Sequence, residues 1–402
     1  MKLVWEYDLP TNEESDDYHF ESPIFVMETA GKLYFISEYI CPNEMPHTRL
    51  KLYEIDSVSG VSNVVDIPDD YHVIPSKFIF INYKDKLIIY TGAFWLYDGK
   101  SVAQIFNNVT PAKIGAYCVY ENLLIFSNCC KPDTWCSPIV LCCCDLDSLE
   151  VAWTIDISNS KPYRCGDLTV FEQTIACYGR DALLFIDPKD GSVINEIKIS
   201  RIDMLYHPIR TADGKLLLGY TNWSNAGILK YDVNTSKVIW RHKRKFEGPQ
   251  TNCKLYTFEN LVYWVKNDTE LICLNSDTGE EVFARRTSPW IYTALNFLGD
   301  RILYGTAGAN GFFNCIDARS GAEYYSVFLK NGCAYYDLYK DTVILGDFSK
   351  TMMQISLNDG RILQSLSVDG EVVGDIHVYD NAVYTVIWGN QEKDIRLVKI
   401  NL

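Results

Sequence analysis

The sequence lacks long apolar runs, a positive net charge and the common catalytic motifs. It has no apolar stretch of about 18 residues, which excludes a membrane-spanning helix. H-E-x-x-H, G-x-S-x-G and the P-loop pattern are all missing, so metalloprotease, α/β-hydrolase and nucleotide-phosphate chemistry have no sequence support. No amphipathic helical period, linker or low-complexity stretch stands out either. The absences leave a folded chain built mainly of strands.

Positive charge is scarce, because 37 Lys and Arg face 52 Asp and Glu in 402 residues, a net charge of -15. Such a surface repels phosphate backbones and anionic lipid, so we expect no nucleic acid or membrane partner, and a basic protein fits better. The first residues, M-K-L-V-W-E-Y-D-L-P, contain no apolar core of signal-peptide length. We therefore expect a cytoplasmic protein whose 14 cysteines stay reduced.

One short unit recurs along the whole chain and is most regular at residues 270–283. An apolar run ends at Asp or Asn, a tight turn follows, and a second strand begins. The turn residues lie 41 to 47 residues apart and are Asp56, Asp98, Asp145, Asp187, Asp232, Asn275, Asp317, Asn358 and Asn401. This period is typical of one four-stranded antiparallel blade per repeat. The sequence predicts an all-β propeller with nine blades, and eight blades with one aberrant segment is the alternative.

The turn chemistry explains why these residue types return. An Asp or Asn side chain accepts hydrogen bonds from amides two residues on, and Gly adopts positive φ without strain. Gly follows four positions later at Gly60, Gly191, Gly279 and Gly321, and a shorter turn is predicted at Gly99 and Gly360. The recurring carboxylates are therefore interpreted as turn residues rather than as calcium ligands or catalytic groups.

Bulky residues recur eight positions after the turn residue and predict how neighbouring blades pack. We expect a ring at these positions to fill the gap to the next blade: Phe106, Trp153, Trp240, Phe283 and Tyr325. The last repeat lacks its fourth strand, and residues 2–9 can supply it with Trp5 in the aromatic position. We therefore predict that residues 1–402 form one propeller domain, closed by pairing of the N- and C-terminal strands.

Two repeats carry a family resemblance. Y231-D-V-N-T-S-K-V-I-W240 and I316-D-A-R-S-G-A-E-Y-Y325 resemble the repeat of quinoprotein (PQQ) dehydrogenase-like propellers. The resemblance implies a propeller fold. Enzymes of that family hold a quinone and calcium in the central channel, but their calcium ligands have no counterparts that can be placed on this chain. We therefore predict no cofactor.

Cysteines cluster in the third and fourth repeats. Adjacent pairs occur, and Cys129, Cys130 and Cys136 fall on the predicted loop between the second and third strands of the third repeat. Cys-x-x-Cys knuckles are missing, and Cys142 and Cys144 should face one side of a strand while Cys143 faces the other. We predict buried strand thiols, an exposed loop pair and no metal, with zinc at the loop cysteines left open. The six histidines show no metal-ligand spacing.

A small-ligand site, if present, is expected at one mouth of the channel, where fourth strands connect to the next first strands. Aromatic, charged and amide side chains that can stack on and hydrogen-bond a sugar or peptide occur there: Tyr163, Arg164, Asp167, Tyr206, His207, Asn252, Trp290, Tyr292 and Asp375. The alternative is that the rings fill a wide channel together with ordered water.

Two classes of function follow from this composition. The first is a non-enzymatic scaffold that binds a protein through an acidic propeller face and possesses no catalytic residue; neutralisation of a basic partner is one form of it. The second is a channel-site enzyme or a lectin-like binder of a carbohydrate or another small ligand. The absence of motifs favours binding over catalysis.

Overall fold

A computed structural model describes residues 1–9, 25–29, 32–40, 48–67, 79–84, 86–106, 113–129, 139–157, 167–178, 182–198, 204–221, 225–245, 253–347, 350–389 and 395–402. The regular structure within these ranges consists of β-strands and contains no helix. The sequence supplies strands for two reasons. Apolar runs are short and bounded by turn residues, and aromatic and β-branched residues, which favour strands, fill them.

The strands of the first half begin with β1 (Lys2–Asp8). They continue as β2 (Phe25–Thr29), β3 (Lys32–Ile40), β4 (Thr48–Asp56), β5 (Gly60–Ile67), β6 (Ile79–Tyr83), β7 (Lys86–Tyr90), β8 (Phe94–Tyr97), β9 (Val102–Ile105), β10 (Lys113–Tyr120), β11 (Leu123–Cys129), β12 (Ile139–Asp145), β13 (Glu150–Asp156), β14 (Asp167–Phe171), β15 (Thr174–Tyr178), β16 (Ala182–Ile186) and β17 (Val193–Lys198).

The strands of the second half are β18 (Met204–Arg210), β19 (Leu216–Thr221), β20 (Asn225–Asp232), β21 (Lys237–Lys245), β22 (Cys253–Phe258), β23 (Leu261–Lys266), β24 (Glu270–Asn275), β25 (Glu281–Arg286), β26 (Asn296–Leu298), β27 (Arg301–Gly305), β28 (Gly311–Asp317), β29 (Glu323–Leu329), β30 (Cys333–Tyr339), β31 (Thr342–Asp347), β32 (Thr351–Ser356), β33 (Ile362–Ser367), β34 (Glu371–Val372), β35 (His377–Tyr379), β36 (Ala382–Trp388) and β37 (Ile395–Asn401).

These strands pair into nine antiparallel sheets, each of which is one blade. Blades 1 to 8 take four consecutive strands each, from β2–β5 through β30–β33. Blade 9 has the order β1-β37-β36-β34, with β35 also paired to β36 as a continuation of a divided inner strand. The predicted nine-bladed propeller is thereby confirmed, and the eight-bladed alternative is wrong.

The core lies between the blades rather than inside any one of them. Middle strands such as β23 are buried along their whole length, because neighbouring blades cover both faces of the sheet. Outer strands such as β13 alternate between partly buried and exposed residues. Each apolar cluster accordingly joins consecutive blades, as Leu218 of blade 5 does with Phe185 of blade 4.

The two ends of the chain close the ring. β1 pairs antiparallel with β37, with Lys2 opposite Asn401 and Leu3 opposite Ile400. Trp5 on the same strand packs on Tyr384 of blade 9 and lies beside Gly60 of blade 1. The predicted closure by terminal strands is confirmed, and it leaves no blade face open at the junction of blades 9 and 1.

In blades 1 to 7 the turn after the third strand has the predicted chemistry. The Asn275 side-chain oxygen accepts hydrogen bonds from the amides of Asp277 (2.8 Å) and Thr278 (3.0 Å). The next amide, of Ser276, donates to the carbonyl of Asn260 at 2.7 Å and so ties this turn to the turn between the first two strands. Both features stabilise the same end of the blade.

Blade 8 departs from the prediction. The residue in the turn position is Ser356 rather than Asn358, because the amide of Leu357 donates to Asp341 O (3.0 Å) as Ser276 does in blade 6. The Ser356 hydroxyl accepts a hydrogen bond from the Asn358 amide at 3.2 Å. Gly360 is therefore four residues after the turn residue, and the shorter turn predicted there is wrong.

Four of the predicted bulky residues occupy one common position, a ring packed over the turn glycine of the next blade. A Cβ on Gly191 would meet Trp153 at 2.7 Å, and one on Gly321 would meet Phe283 at 2.6 Å; Trp240 and Tyr325 cover Gly279 and Gly360 in the same way. Phe106 fills the space between blades 2 and 3 but follows the end of β9. The shorter turn at Gly99 places Ala103 opposite Leu96, so Ala103 holds the common position in blade 2.

Candidate functional site

The antiparallel order of each blade sorts its loops onto two faces. Turns that join the first strand to the second and the third to the fourth share one end of the blade, which we call the turn face. The second-to-third loops and the connections between blades share the opposite end, which we call the connection face. Its described segments include residues 91–93, 267–269, 287–295, 306–310, 330–332 and 368–376. The predicted site residues belong to the connection face and to the inner strands.

The structure describes only part of the predicted site. Tyr163, Arg164 and Asn252 lie outside the described residues. Asp167 begins β14, where its backbone pairs with Tyr178. Tyr206 and His207 lie on β18, at a register shift that occurs between Tyr206 and Ile209. These three occupy innermost strands, as predicted, and their side chains are outside the described part of the structure.

Three predicted residues have described side chains on blades 6 to 9. Trp290 and Tyr292 lie in the connection between β25 and β26, and their side chains are about half exposed. Asp375 lies between β34 and β35. The structure brings Tyr292 and Asp375 close to Tyr335 of β30, near enough for both to affect its titration. We call Tyr292, Tyr335, Asp375 and His377 the channel-mouth cluster.

Backbone hydrogen bonds fix the segments that carry this cluster. The Tyr292 amide donates to Gly305 O at 2.9 Å, while the neighbouring Ile291 is buried against blade 7. Beside Asp375, the Thr385 hydroxyl donates to Gly374 O at 3.2 Å. The Asp337 carboxylate accepts the amide of Val378 at 2.8 Å and so joins the inner strands of blades 8 and 9. The cluster therefore lies on anchored backbone.

The electrostatics of the cluster favour neutral groups. Burial raises the pKa of Tyr335 to about 12, and the nearby Tyr292 and Asp375 act in the same direction. Burial also raises the pKa of Asp375, which keeps part of its side chain open to solvent, while the charge of His377 opposes this rise. Nε2 of His377 is buried without a hydrogen-bond partner among the described residues. The cluster thus presents aromatic rings, a carboxyl of raised pKa and an imidazole nitrogen in one place.

Trp290 packs against the second-to-third loop of blade 7 and is not part of the cluster. Its carbonyl accepts the Ala307 amide at 3.0 Å, and a Cβ on Gly308 would meet Trp290 Cη2 at 3.7 Å. The indole is 50% exposed. It is therefore available for stacking on a ligand of the connection face, beside the cluster.

His377 is the residue of this cluster that sequence reasoning missed. It was one of six histidines without metal-ligand spacing, and nothing in its immediate sequence distinguishes it. The available signal was its position two residues after Asp375, within an inner strand, where neighbouring side chains approach the channel. Tyr335 was not selected either, although it lies near the start of the innermost strand of blade 8.

Metal sites and membrane helices are not found in the described part of the chain. No group of three or more His, Cys, Asp or Glu in these ranges could hold a metal ion. No helix there is long and apolar enough to cross a membrane. Cys142 and Cys144 face the cluster between blades 2 and 3, and Cys143 faces blade 4, as predicted. Cys130 and Cys136 lie outside the described residues, so zinc at that loop is untested.

Comparison with known proteins places the chain among PQQ-type propellers by resemblance. The sequence model of the outer membrane protein assembly factor BamB matches residues 224–391, which is less than half of the chain. No curated protein has a matching sequence. The resemblance to a PQQ-like repeat propeller predicted from the repeats is thus confirmed.

Solved structures share the fold at low identity. BamB from Moraxella catarrhalis is 12% identical with a TM-score of 0.52, covering 80% of this chain and 96% of that chain. The computationally designed Ika8 protein is 12% identical with a TM-score of 0.51, covering 95% and 97%. A europium-containing methanol dehydrogenase is 8% identical with a TM-score of 0.50, covering 79% and 84%. At such identities the likeness establishes the fold alone.

Proposed function

We propose that this protein is a non-enzymatic scaffold that binds a basic segment of a protein partner on its turn face. The observation that carries the proposal is the excess of carboxylates at this end of the ring. The resemblance to a propeller named as an assembly factor also supports a protein partner. A cytoplasmic location, expected from the sequence, remains part of the proposal.

The turn face is acidic because turn chemistry selects Asp in most repeats and a second Glu or Asp often lies in the same turns. The carboxylates in its described turns are Asp56, Asp98, Glu121, Asp145, Asp147, Glu172, Asp187, Asp190, Asp213, Asp232, Glu259, Asp277, Glu280, Asp300, Asp317, Asp341, Asp359 and Asp380. The cations in the same turns are fewer: Lys84, Lys100, Lys189, Lys215, Arg319, Lys340 and Arg361.

Several of these cations are already paired on the same face. Lys215 lies 2.9 Å from Asp232, and Arg319 lies 2.8 Å from Glu259. Lys84 pairs with Asp147. Since these pairs neutralise only some of the carboxylates, the face keeps a strong negative field, which attracts basic partners over roughly a Debye length of about 8 Å at physiological salt.

The carboxylates of the turns also stay ionised. Hydrogen bonds from the amides of Ser101 and Lys100 hold the pKa of Asp98 below its usual value. Hydrogen bonds from Ser192 do the same for Asp190. A lowered pKa keeps both groups charged at neutral and mildly acidic pH, so binding of a basic segment should persist there.

A matched pair of charge-reversal variants tests this proposal. Glu121→Lys with Glu172→Lys alters exposed residues of the turn face, whereas Glu196→Lys with Glu371→Lys changes the same net charge on an outer strand and near the connection face. Binding of a fluorescent ten-residue lysine-rich peptide is followed by anisotropy at low salt. We expect about tenfold weaker binding for the first pair and a much smaller change for the second.

Equal losses in the two variants would show that only total charge matters, and the proposal would be wrong. The native partner is then sought by capture on the wild-type protein with elution by salt, using the turn-face variant as the background.

A second candidate, a small-ligand or carbohydrate site at the channel mouth, is favoured by one observation. Half-exposed Tyr292 and the carboxyl of Asp375 both lie near Tyr335, and half-exposed Trp290 lies two residues before Tyr292 on the same connection. Such rings can stack on a sugar while the carboxyl hydrogen-bonds its hydroxyls. Titration of simple sugars against tryptophan fluorescence tests it. A saturable change that Trp290→Phe and Asp375→Asn both weaken supports the site, and no change at millimolar sugar opposes it.

A further inference from the structure

The outer strand of blade 5, β21, carries the densest positive charge among the described strands. It spans Lys237–Lys245 and pairs only with β20, from Asp232 opposite Lys237 to Asn225 opposite Lys245. Its other edge meets no described strand. Side chains alternate along a strand, and a register shift between Trp240 and Val238 interrupts this alternation near the start of β21. One face of the strand therefore presents Arg241, Lys243 and Lys245.

The opposite face of β21 is used by the fold. Trp240 covers Gly279 and donates from Nε1 to Ser276 O at 2.9 Å. Arg244 forms an ion pair with Glu281 of blade 6, and His242 Nε2 lies 3.9 Å from the same carboxylate. The cation that faces blade 6, Arg244, therefore contributes to the packing of blade 5 against blade 6.

The outward cations have no such role. No described carboxylate lies within ion-pair distance of Arg241, Lys243 or Lys245. Arg241 lies over the Tyr220 ring, 5.9 Å from its centroid. Side chains two residues apart on one strand face are about 7 Å apart, so these like charges repel one another. The arrangement therefore weakens the isolated strand, and nothing within the described fold compensates for it.

Protection of a sheet edge does not explain this density of charge. Lys and Arg on an exposed edge discourage association with other strands. However, β33 holds the same outer position in blade 8 with the sequence I-L-Q-S-L-S and no charged residue, and β29 has only Glu323. Edges in this ring therefore do without such protection, and β21 exceeds what edge protection requires.

We propose that β21 is a docking edge for an acidic, extended segment of a partner protein, which adds to blade 5 as a fifth strand. Backbone N–H and C=O groups on the free edge would bond to the segment, and carboxylates at every second position would neutralise the outward cations. Nucleic acid fits the edge less well, because it has no peptide backbone that could pair with the free N–H and C=O groups of β21. This surface and its partner are distinct from the acidic turn face and its basic partner.

Defined probes test the proposal on the full chain. The probe is a labelled ten-residue peptide of alternating glutamate and valine, and its counterparts are a version with two valines replaced by proline and a ten-nucleotide single-stranded DNA. Binding is measured by anisotropy at low salt to wild type, to Lys243→Glu with Lys245→Glu, and to the control Lys100→Glu with Lys189→Glu. All four lysines are exposed, and the two variants change the same charge.

We expect the alternating peptide to bind wild type and the control, and to bind the β21 variant about tenfold more weakly. The proline version should bind weakly to all three proteins, since proline removes the amides that strand addition needs. Equal binding of both peptides would reduce the effect to simple charge attraction, and tighter binding of DNA would assign the edge to nucleic acid; either result overturns the proposal. An equal loss in the control variant, or no binding by wild type, also overturns it.

Discussion

Gly279 shows how much of this fold depends on single turn residues. Its φ is +72°, a conformation that residues with a Cβ adopt only with strain. The Trp240 ring of the previous blade also occupies the space that a Cβ would take. Gly214 has a φ of +74° but no atom within 4 Å of its ideal Cβ. Substitution of Gly214 would therefore cause backbone strain alone, whereas substitution of Gly279 would cause backbone strain and also a clash with the Trp240 ring.

Alanine at these two positions makes the difference measurable. Gly214→Ala should lower the free energy of unfolding by about 1 kcal/mol through φ alone. Gly279→Ala should cost about 2 to 4 kcal/mol, because the methyl group also displaces Trp240. Chemical denaturation followed by tryptophan fluorescence measures both values. Similar losses at the two positions would mean that the ring-over-glycine contact contributes little to the joining of blades.

Asp375 gives a prediction about pH. Burial raises its pKa in the folded protein, so the ionised carboxylate destabilises the fold, and this penalty grows as pH rises through the unfolded pKa of about 3.9. Asp375→Asn should therefore raise the melting temperature at pH 7, but only slightly, because Asp375 is exposed and solvent screens most of the penalty. The gain should shrink as pH falls toward 4, where wild type becomes protonated. A gain that does not depend on pH would assign the effect to packing instead of charge.

Single residues could be predicted from the sequence at positions where only a few residue types can supply the required side-chain group. Asp and Asn in the turns could be found because the side-chain acceptor they supply is visible as a residue type. Ser356 was missed because its hydroxyl performs the same role, while the nearby Asn358 matched the expected type. The register of hydrogen bonds, which places Leu357 against Asp341, distinguishes the two and is not visible in the sequence.

Strand β12 carries three consecutive cysteines whose packing follows from the alternation of side chains along a strand. The alternation of a strand sent Cys142 and Cys144 toward one neighbouring cluster and Cys143 toward another, and each of the three is nearly inaccessible to solvent. Burial raises the pKa of the Cys143 thiol to about 12 and raises that of Cys144 as well. Thiols in this state behave as small apolar side chains with little thiolate at pH 8.

Alkylation should therefore distinguish the folded from the unfolded chain at this strand. Iodoacetamide at pH 8 should leave Cys142, Cys143 and Cys144 unmodified in the native protein and alkylate all three in denaturant, as located by peptide fragmentation in mass spectrometry. Rapid labelling of the native protein at Cys143 would show that blades 3 and 4 separate readily, contrary to the packing described here.

Elements are easier to predict than the contacts between them. Strand and turn patterns gave all four strands of most blades, since each depends on residues within about ten positions. The division of the inner strand of blade 9 into β34 and β35 was not predicted, and neither was the approach of Tyr292 to Tyr335 and Asp375. Such contacts join segments more than forty positions apart, and they depend on how blades pack, which a single sequence does not specify.

At the scale of the whole molecule, closure of the ring joins residues at opposite ends of the chain. Bringing the termini together costs loop-closure entropy, which the pairing of β1 with β37 must offset. Arg396 also forms an ion pair with Glu6 at 2.8 Å. Trp5 repeats at this junction the ring-over-glycine contact found between other blades. β1 therefore has two roles: it is the outermost strand of blade 9, and it packs blade 9 against blade 1.

Removal of residues 1–8 tests closure, because it exposes the edge of β37 and one side of blade 1. We expect a melting temperature many degrees below that of the full chain and a tendency to self-associate through the open edge. A synthetic peptide of residues 1–9 added in trans should restore most of the stability, since it replaces both the strand and the Trp5 ring. The same peptide with Trp5→Ala should restore much less, because loss of a packed tryptophan costs about 3 kcal/mol or more. If the shortened chain melts like the full protein, the ring does not depend on this junction, because the other blade contacts alone hold it closed. If both peptides rescue it equally, pairing of β1 with β37 closes the ring and the Trp5 ring contributes little.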